Sequence, residues 1–307
     1  MRLTLRQLQI FAAIAHNGST AAAGNEVGLS QSASSAALNE LERLLSRPLF
    51  DRTGKRLVIN ENGRLLLPKA LALLDAAAEI EREANCLENG PPPLRIGAST
   101  TIGNHVLPQV LQQYLARWTA HSSTTDWHSR IMIGNTAEVC RMVCAFELDI
   151  GLIEGPSHEA DLHTRPWVND ELVLVAAPET AAKIHADGTA GVISLRLLQE
   201  QVWLLREQGS GTRMAMDAAL LPSLHTYRKS IELGSSEAIK YAAAQGLGIA
   251  CVSQWVVSEM VQSGKLVRLQ TSLPRLIRPF YIVVHRDKTP THALQDLLTQ
   301  LSTVNLT

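Results

Sequence analysis

The chain has 307 residues, 46% of them hydrophobic and 19% charged, a balance that suits two or three globular domains with real cores and excludes a disordered chain. A formal net charge of −1 excludes a uniformly polycationic binder of nucleic acid, so any grip on a polyanion must come from a local patch. The longest apolar runs, such as ELVLVAAP, are too short to span a bilayer, and Arg6, Gln7 and Gln9 interrupt the N-terminal run where a signal peptide would be apolar, so the expected location is the cytoplasm.

Leu5, Leu8, Ile10, Phe11 and Ile14 recur at helical spacing and predict a first amphipathic helix over residues 4–16, stopped at Gly18. Ser19 or Thr20 caps a second short helix, TAAAGNEVG. Gly28 and Leu29 turn the chain, and Ser30 caps a third helix. Its rear stripe is Leu38, Leu41, Leu44 and Leu45; its front carries Gln31, Ser32, Ser35 and Ala36. Small and polar groups at a helix N-terminus allow close approach to an anionic surface. Gln reads an adenine edge, Ser bonds phosphate or base, and Ala touches a thymine methyl, which is the composition of a recognition helix in a major groove. A plain helical hairpin with a small-residue packing face is the alternative at this point. The next run, RPLFDRTGKRLVINENG, alternates like a hairpin turning at Thr53-Gly54, with Arg52, Lys55 and Arg56 crowded at the turn. A basic hairpin beside such a helix reads as a wing that grips phosphates, or as a solvated basic turn. Residues 1–60 hold seven Arg or Lys against four acids, reversing the sign of the whole chain.

Residues 61–90 predict a long helix with Leu67, Leu71, Leu74, Ala78 and Glu81 near a heptad seam, bent or begun at Pro68 and broken by NGPPP. Beyond it the pattern becomes strand–helix–strand, which predicts an open α/β sheet in two similar lobes with a cleft between them. Residues 91–163 with 268–307 form the expected first lobe, and 164–267 the second. Ligands in such sheets lie beyond the carboxyl ends of strands. Those positions carry Ser99, Thr100 and Thr101, then Asn135 and Thr136, then Glu154, then Arg206 and the Gly-rich GSGTR turn with Ser210, Gly211 and Thr212. Hydroxyls, amides at helix starts and an arginine suit a small anion. Glu154 opposes that unless it pairs with Arg206 or meets a protonated or amine group. Each feature also has a plain reading: Ser99 to Thr101 as a helix cap, Arg206 and Glu207 as a surface charge pair.

The chemistry of catalysis is missing from these patterns. GSG is neither a nucleophile elbow nor a Walker loop, and the histidines are scattered, so no catalytic residue, metal or cofactor is expected. Cys140 and Cys144 sit one helical turn apart with no further Cys or His at zinc-finger spacing, and read as small core residues. A freestanding solute-binding protein would explain the lobes but not the basic N-terminal module.

The run from LTLRQLQIFAAIAHNGST through LSQSASSAALNELERLLSRPLFDR to KALALL resembles the winged helix–turn–helix and linker of LysR-type transcriptional regulators. The pieces LRIGASTTIGNHVLP, DIGLIEGP, LLREQGSGTR, LGSSEAIKYAAAQGLGIACVS and RPFYIVVHR resemble that family's effector domain, in the family's order. IEGP and REQGSGTR resemble the YeiE-type branch in particular, with carbon-fixation (CbbR-type) regulators as neighbours. The resemblance implies a mainly α winged helix–turn–helix over 1–60, a linker dimerisation helix over 61–90, and an α/β two-lobed effector domain of periplasmic-binding-protein (type 2) kind over 91–307. It implies double-stranded promoter DNA, a small anionic effector and RNA polymerase as partners, and a dimer or dimer of dimers through the antiparallel linker helix of a second subunit. It makes Thr20, Gln31, Ser32, Ser35, Arg52, Lys55 and Arg56 the expected DNA contacts. A sulfur oxyanion such as sulfite, or a phosphorylated or carboxylated metabolite, is the implied effector. Two departures stand out: Ser34 replaces the family's usual bulky aliphatic residue and must bond back to a carbonyl one turn earlier, and Ala36 stands where the family often has Arg.

Overall fold

The computed structural model describes residues 3–53, 56–86, 94–119, 129–186 and 192–303. They form two compact units, one N-terminal and one C-terminal, each with its own core.

The N-terminal unit begins with α1 (Leu5–Asn17), α2 (Thr20–Val27) and α3 (Gln31–Leu45). Caps set their ends. Thr4 and Gln7 form a reciprocal capping box on α1, Ser19 rather than Thr20 caps α2, and Ser30 caps α3. Gly18 and Gly28 close α1 and α2 in the left-handed region. Two short strands, β1 (Phe50–Thr53) and β2 (Arg56–Ile59), pair antiparallel. The long helix α4 (Glu61–Cys86) follows and continues through Pro68. Asn60 begins it, its side-chain oxygen accepting the Gly63 amide at 3.0 Å. Leu8, Phe11, Ile14, Leu38, Leu41, Leu49, Phe50 and Ala70 share one core. Leu5 lies outside it and is exposed. At the crossing of α2 and α3, a Cβ on Gly24 would stand 2.7 Å from the Leu29 carbonyl and 2.9 Å from Ser34 Oγ. The buried Ser34 hydroxyl donates to the Ser30 carbonyl at 3.1 Å, the back-bond its position demands.

The residues of the seam expected on α4 are not all free to meet a second subunit. Leu67 and Leu74 pack against the core of the N-terminal unit, whereas Leu65, Leu73 and Ile80 stand exposed. A 26-residue helix with two apolar stripes holds its own domain with one and presents the other.

The C-terminal unit opens with β3 (Arg95–Ser99), a five-residue π-helix (Ile102–Val106), α5 (Leu107–Thr119), β4 (Arg130–Gly134), α6 (Thr136–Cys144) and β5 (Ile150–Glu154). A 15-residue strand, β6 (Leu162–Ala176), leads into α7 (Pro178–Ala186), α8 (Leu195–Glu200), β7 (Val202–Arg206), α9 (Gly211–Leu224) and β8 (Lys229–Leu233). Then come α10 (Ser236–Ala244), β9 (Ile249–Ser253), α11 (Gln254–Gln262), β10 (Val267–Arg268), β11 (Leu276–His285) and α12 (His292–Thr303). The main strands run in the order β4-β3-β5-β11-β6-β9-β7-β8, with β10 on β6. Parallel pairing marks the two halves, β4-β3-β5 and β9-β7-β8, while β6 and β11 run antiparallel between them with a bulge at Pro279/Tyr281. Each half has its own apolar core. Trp167 and Val168 of β6 pack on the first and Leu172 and Leu174 on the second, so the change of lobe happens inside a strand.

Candidate functional site

On α3, Gln31, Ser32 and Ala36 are exposed and Ser35 is half-buried, so the helix presents the small polar front its sequence predicts. Ser32 Oγ lies 3.0 Å from the capping Ser30 Oγ. Thr20, the first residue of α2, is half-buried. Arg52 and Arg56 are exposed on the two strands of the hairpin. Arg52 sits opposite Leu57 and Arg56 opposite Thr53, so the alternation of a strand sends the two guanidiniums to opposite faces of the ribbon. Lys55 lies outside the described residues. Arg6 is spent inside the domain, donating to the Val27 carbonyl at 2.6 Å.

In the C-terminal unit the strand-end residues converge at the junction of the two halves and form two arginine–carboxylate networks. The first centres on Arg206, at the end of β7 and only 2% exposed. Its Nη1 donates to Thr100 Oγ1 at 2.7 Å and Ser236 Oγ at 2.9 Å, one hydroxyl from each half. Its Nε and Nη2 donate to the two carboxylate oxygens of Glu207 at 2.7 and 2.8 Å. Asn135 Nδ2, from the first half, donates to the same carboxylate at 3.3 Å. Burial pushes the Glu207 carboxyl up, but the bond from Arg206 and its charge outweigh this and the net direction is down.

The second network centres on Arg278 of β11. Its Nη1 lies 3.0 Å from Glu154 Oε2 and donates to Thr212 Oγ1 at 2.9 Å, and its Nε donates to Asp170 Oδ2 at 2.8 Å. Thr212 donates onward to Glu154, which also accepts the Thr101 amide at 2.9 Å. Ser253 Oγ donates to Asp170 at 2.6 Å. Burial would raise the Glu154 carboxyl, yet Arg278, Thr212 and Thr101 together hold it at about 2. Asp170 goes the other way: burial raises it, against the opposing pull of Arg278 and Ser253. Ser99 Oγ and Arg278 Nη2 are buried with no hydrogen-bond partner among the described residues.

Glu154 therefore pairs with Arg278, not Arg206. Arg206 and Glu207 do form a pair, with the arginine buried and the carboxylate half-buried. Thr136 and Gly211 close the halves against each other: Thr136 Oγ1 donates to the Glu154 carbonyl and accepts the Gly211 amide, both at 3.2 Å. Contact there is so close that a Cβ on Gly211 would lie 1.6 Å from the Glu154 carbonyl oxygen. Ser210 caps α9 through the Arg213 amide, so its hydroxyl has the plain structural task. Beside this contact, between α6 and α9, lies a cavity of about 420 Å³ lined by Thr136, Cys140, Pro156, Ser210, Met214 and Asp217 among others.

Arg278, Asp170, Ser236 and Ser253 were not legible as site residues in the sequence. The signal for Arg278 was a single arginine heading an otherwise apolar strand, RPFYIVV; for Ser236 it was the doubled serine of GSSEA, of which Ser235 caps α10 and Ser236 reaches Arg206. No cluster of three metal-ligating side chains and no helix able to cross a membrane occurs among the described residues.

Residues 5–64 match the bacterial regulatory helix-turn-helix proteins of the lysR family, and residues 89–305 match the LysR substrate binding domain. The HTH-type transcriptional regulator YeiE of Escherichia coli K12, itself uncharacterized, is 43% identical, covering 100% of this chain and 99% of its own. The RuBisCO operon transcriptional regulator of Allochromatium vinosum is 29% identical, covering 94% of this chain and 92% of its own. Among solved structures, a full-length variant of OxyR from Pseudomonas aeruginosa shares the fold, with a TM-score of 0.68 at 22% identity over 99% of this chain and 96% of that one. The YeiE and RuBisCO operon relatives are transcriptional regulators, so neither an enzyme nor a freestanding solute-binding protein is the reading that fits the chain. With the lysR-family helix-turn-helix in one unit and a two-lobed substrate-binding fold in the other, the chain belongs to the LysR family of bacterial transcriptional regulators.

Proposed function

We propose that the effector of this regulator is a small anion held between the two lobes, a sulfur oxyanion such as sulfite or a phosphorylated or carboxylated metabolite. The observation that carries this reading is Arg206: a buried guanidinium held by one hydroxyl from each lobe, Thr100 and Ser236, with its remaining edge turned to a carboxylate. An oxyanion on that edge would touch groups of both lobes, and its differential affinity for closed and open states would shift the population between them. Ser99 Oγ, buried at the end of β3, is a further donor without a partner among the described residues. Through the N-terminal unit, this shift changes how Gln31, Ser32 and Ser35 engage promoter DNA, and how Thr20, Arg52, Lys55 and Arg56 hold its backbone. A second copy on the Leu65, Leu73 and Ile80 face of α4 supplies the second half-site reader, as a dimer or a dimer of dimers. The cytoplasm, where promoter DNA and RNA polymerase are available, is the compartment this reading requires.

Calorimetry on the full chain with sulfite and with inorganic phosphate tests the reading. Arg206→Ala is expected to weaken binding by about ten- to a hundredfold, the worth of a charge-assisted contact. Thr100→Ala costs less, about one neutral hydrogen bond. Unchanged affinity in Arg206→Ala would put the anion elsewhere and shift attention to Glu154 and an amine or protonated ligand.

A further inference from the structure

Arg206 already holds an oxyanion, and it is the protein's own. Glu207 is the next residue in the chain, and along a regular strand neighbouring side chains point to opposite faces. Here the strand has ended, the chain turns towards Gly209 at φ +86°, and the Glu207 carboxylate folds back onto the Arg206 fork with both oxygens. The two partners differ in burial: the Arg206 side chain is 2% exposed, the Glu207 side chain 23%. The arginine is fixed by Thr100 and Ser236, whereas the carboxylate has a route to water. Leaving a buried guanidinium unpaired is costly, so the empty protein needs an anion at that edge.

Resting on the anionic-effector reading above, we infer that Glu207 is an internal stand-in for the effector and that binding is an exchange of its carboxylate for a ligand oxyanion on Arg206. The exchange constrains specificity. The replacing anion must offer two oxygens to the Nε–Nη2 edge, so carboxylates and tetrahedral or pyramidal oxyanions qualify and halides do not. The competition also lowers apparent affinity, so Glu207 sets the concentration at which the regulator responds. Asn135 Nδ2 shares the carboxylate from the other lobe, so release of Glu207 also breaks a tie between lobes.

The test uses the full chain and formate, which reproduces the missing carboxylate, against chloride at equal ionic strength. Glu207→Ala is expected to melt below the parent in chloride. Formate should raise its melting temperature by several degrees more than it raises the parent's, and Arg206→Gln/Glu207→Ala should abolish that extra rise. Equal formate shifts in parent and Glu207→Ala, or an extra rise that survives in the double variant, would overturn the exchange. Glu207→Gln keeps the bulk of the side chain and serves if the alanine variant does not fold. It is expected to bind sulfite or inorganic phosphate roughly tenfold tighter than the parent. If the parent binds sulfite through Arg206 but Glu207→Gln gains nothing, the exchange fails and the anionic effector stands. If formate rescue is specific while neither sulfite nor phosphate binds the parent or Glu207→Gln, the exchangeable carboxylate stands, the sulfur-oxyanion and phosphate effectors fail, and a carboxylate is the anion left.

Discussion

Glu154 is a buried carboxylate that stays charged, because Arg278, Thr212 and the Thr101 amide supply more than burial removes. Its carboxyl sits at about 2 in the folded chain against an ordinary 4.5. A depressed carboxyl contributes stability that is complete above the ordinary value and is lost as pH falls towards the folded one. Glu154→Gln is therefore expected to cost about 3 kcal/mol at neutral pH, and the deficit relative to the parent should narrow by about 2 kcal/mol at pH 3. Urea titrations of both proteins at the two pH values check this; a deficit independent of pH would mean that folding does not depress the Glu154 carboxyl, and a deficit that widens at pH 3 would mean that folding raises it. At this scale the sequence was half legible. A carboxylate and an arginine at strand ends announce a polar junction, but which arginine meets which carboxylate is decided by β11 lying next to β5, a pairing between strands far apart in the chain. Pairing Arg206 with its neighbour Glu207 was readable; its burial was not, since Thr100 and Ser236 come from two other elements.

Among the elements, the hairpin and α4 make separable predictions. Arg52→Ala and Arg56→Ala should weaken binding to all DNA sequences alike and should each reduce the salt slope by about one. Gln31→Ala should instead change the preference between sites. Mobility shifts at several salt concentrations distinguish these, and a Gln31 variant with unchanged specific and nonspecific affinity would remove α3 from the groove. On α4, Ile80→Asp should break the proposed dimer while leaving the N-terminal unit folded, because Ile80 is exposed. Leu74→Asp should unfold that unit, because Leu74 packs on its core. Light scattering with circular dichroism tells the two outcomes apart. The sequence showed α4 as a leucine-rich helix, but a helix with leucines on two faces does not reveal which face its own domain takes. That choice follows from Leu49 and Phe50, which enter the same core from the hairpin side. Strand β6 was legible only in its apolar second half, because its first half, LHTRPWV, alternates weakly and carries a proline.

For the molecule as a whole, the two lobes share two strands instead of being joined by loops. β6 and β11 pair along most of their length, and the Arg278–Asp170 ion pair joins them inside that stretch. The two-lobed plan could be read from the alternation of strands and helices. The position of the crossing could not, because it falls inside β6 and β11 and no turn residue marks it.

The Gly211 contact has a mechanical consequence. The gap between α9 and the end of β5 is narrower than one methyl group, since a Cβ would lie 1.6 Å from the Glu154 carbonyl oxygen. Gly211→Ala is thus a shim of a single carbon, thick enough to hold the jaws apart yet in a different unit from the helix-turn-helix. A shimmed regulator should still find its promoter in a footprint, but its occupancy there should no longer answer to the metabolite, leaving the cell with a gauge whose needle is pinned.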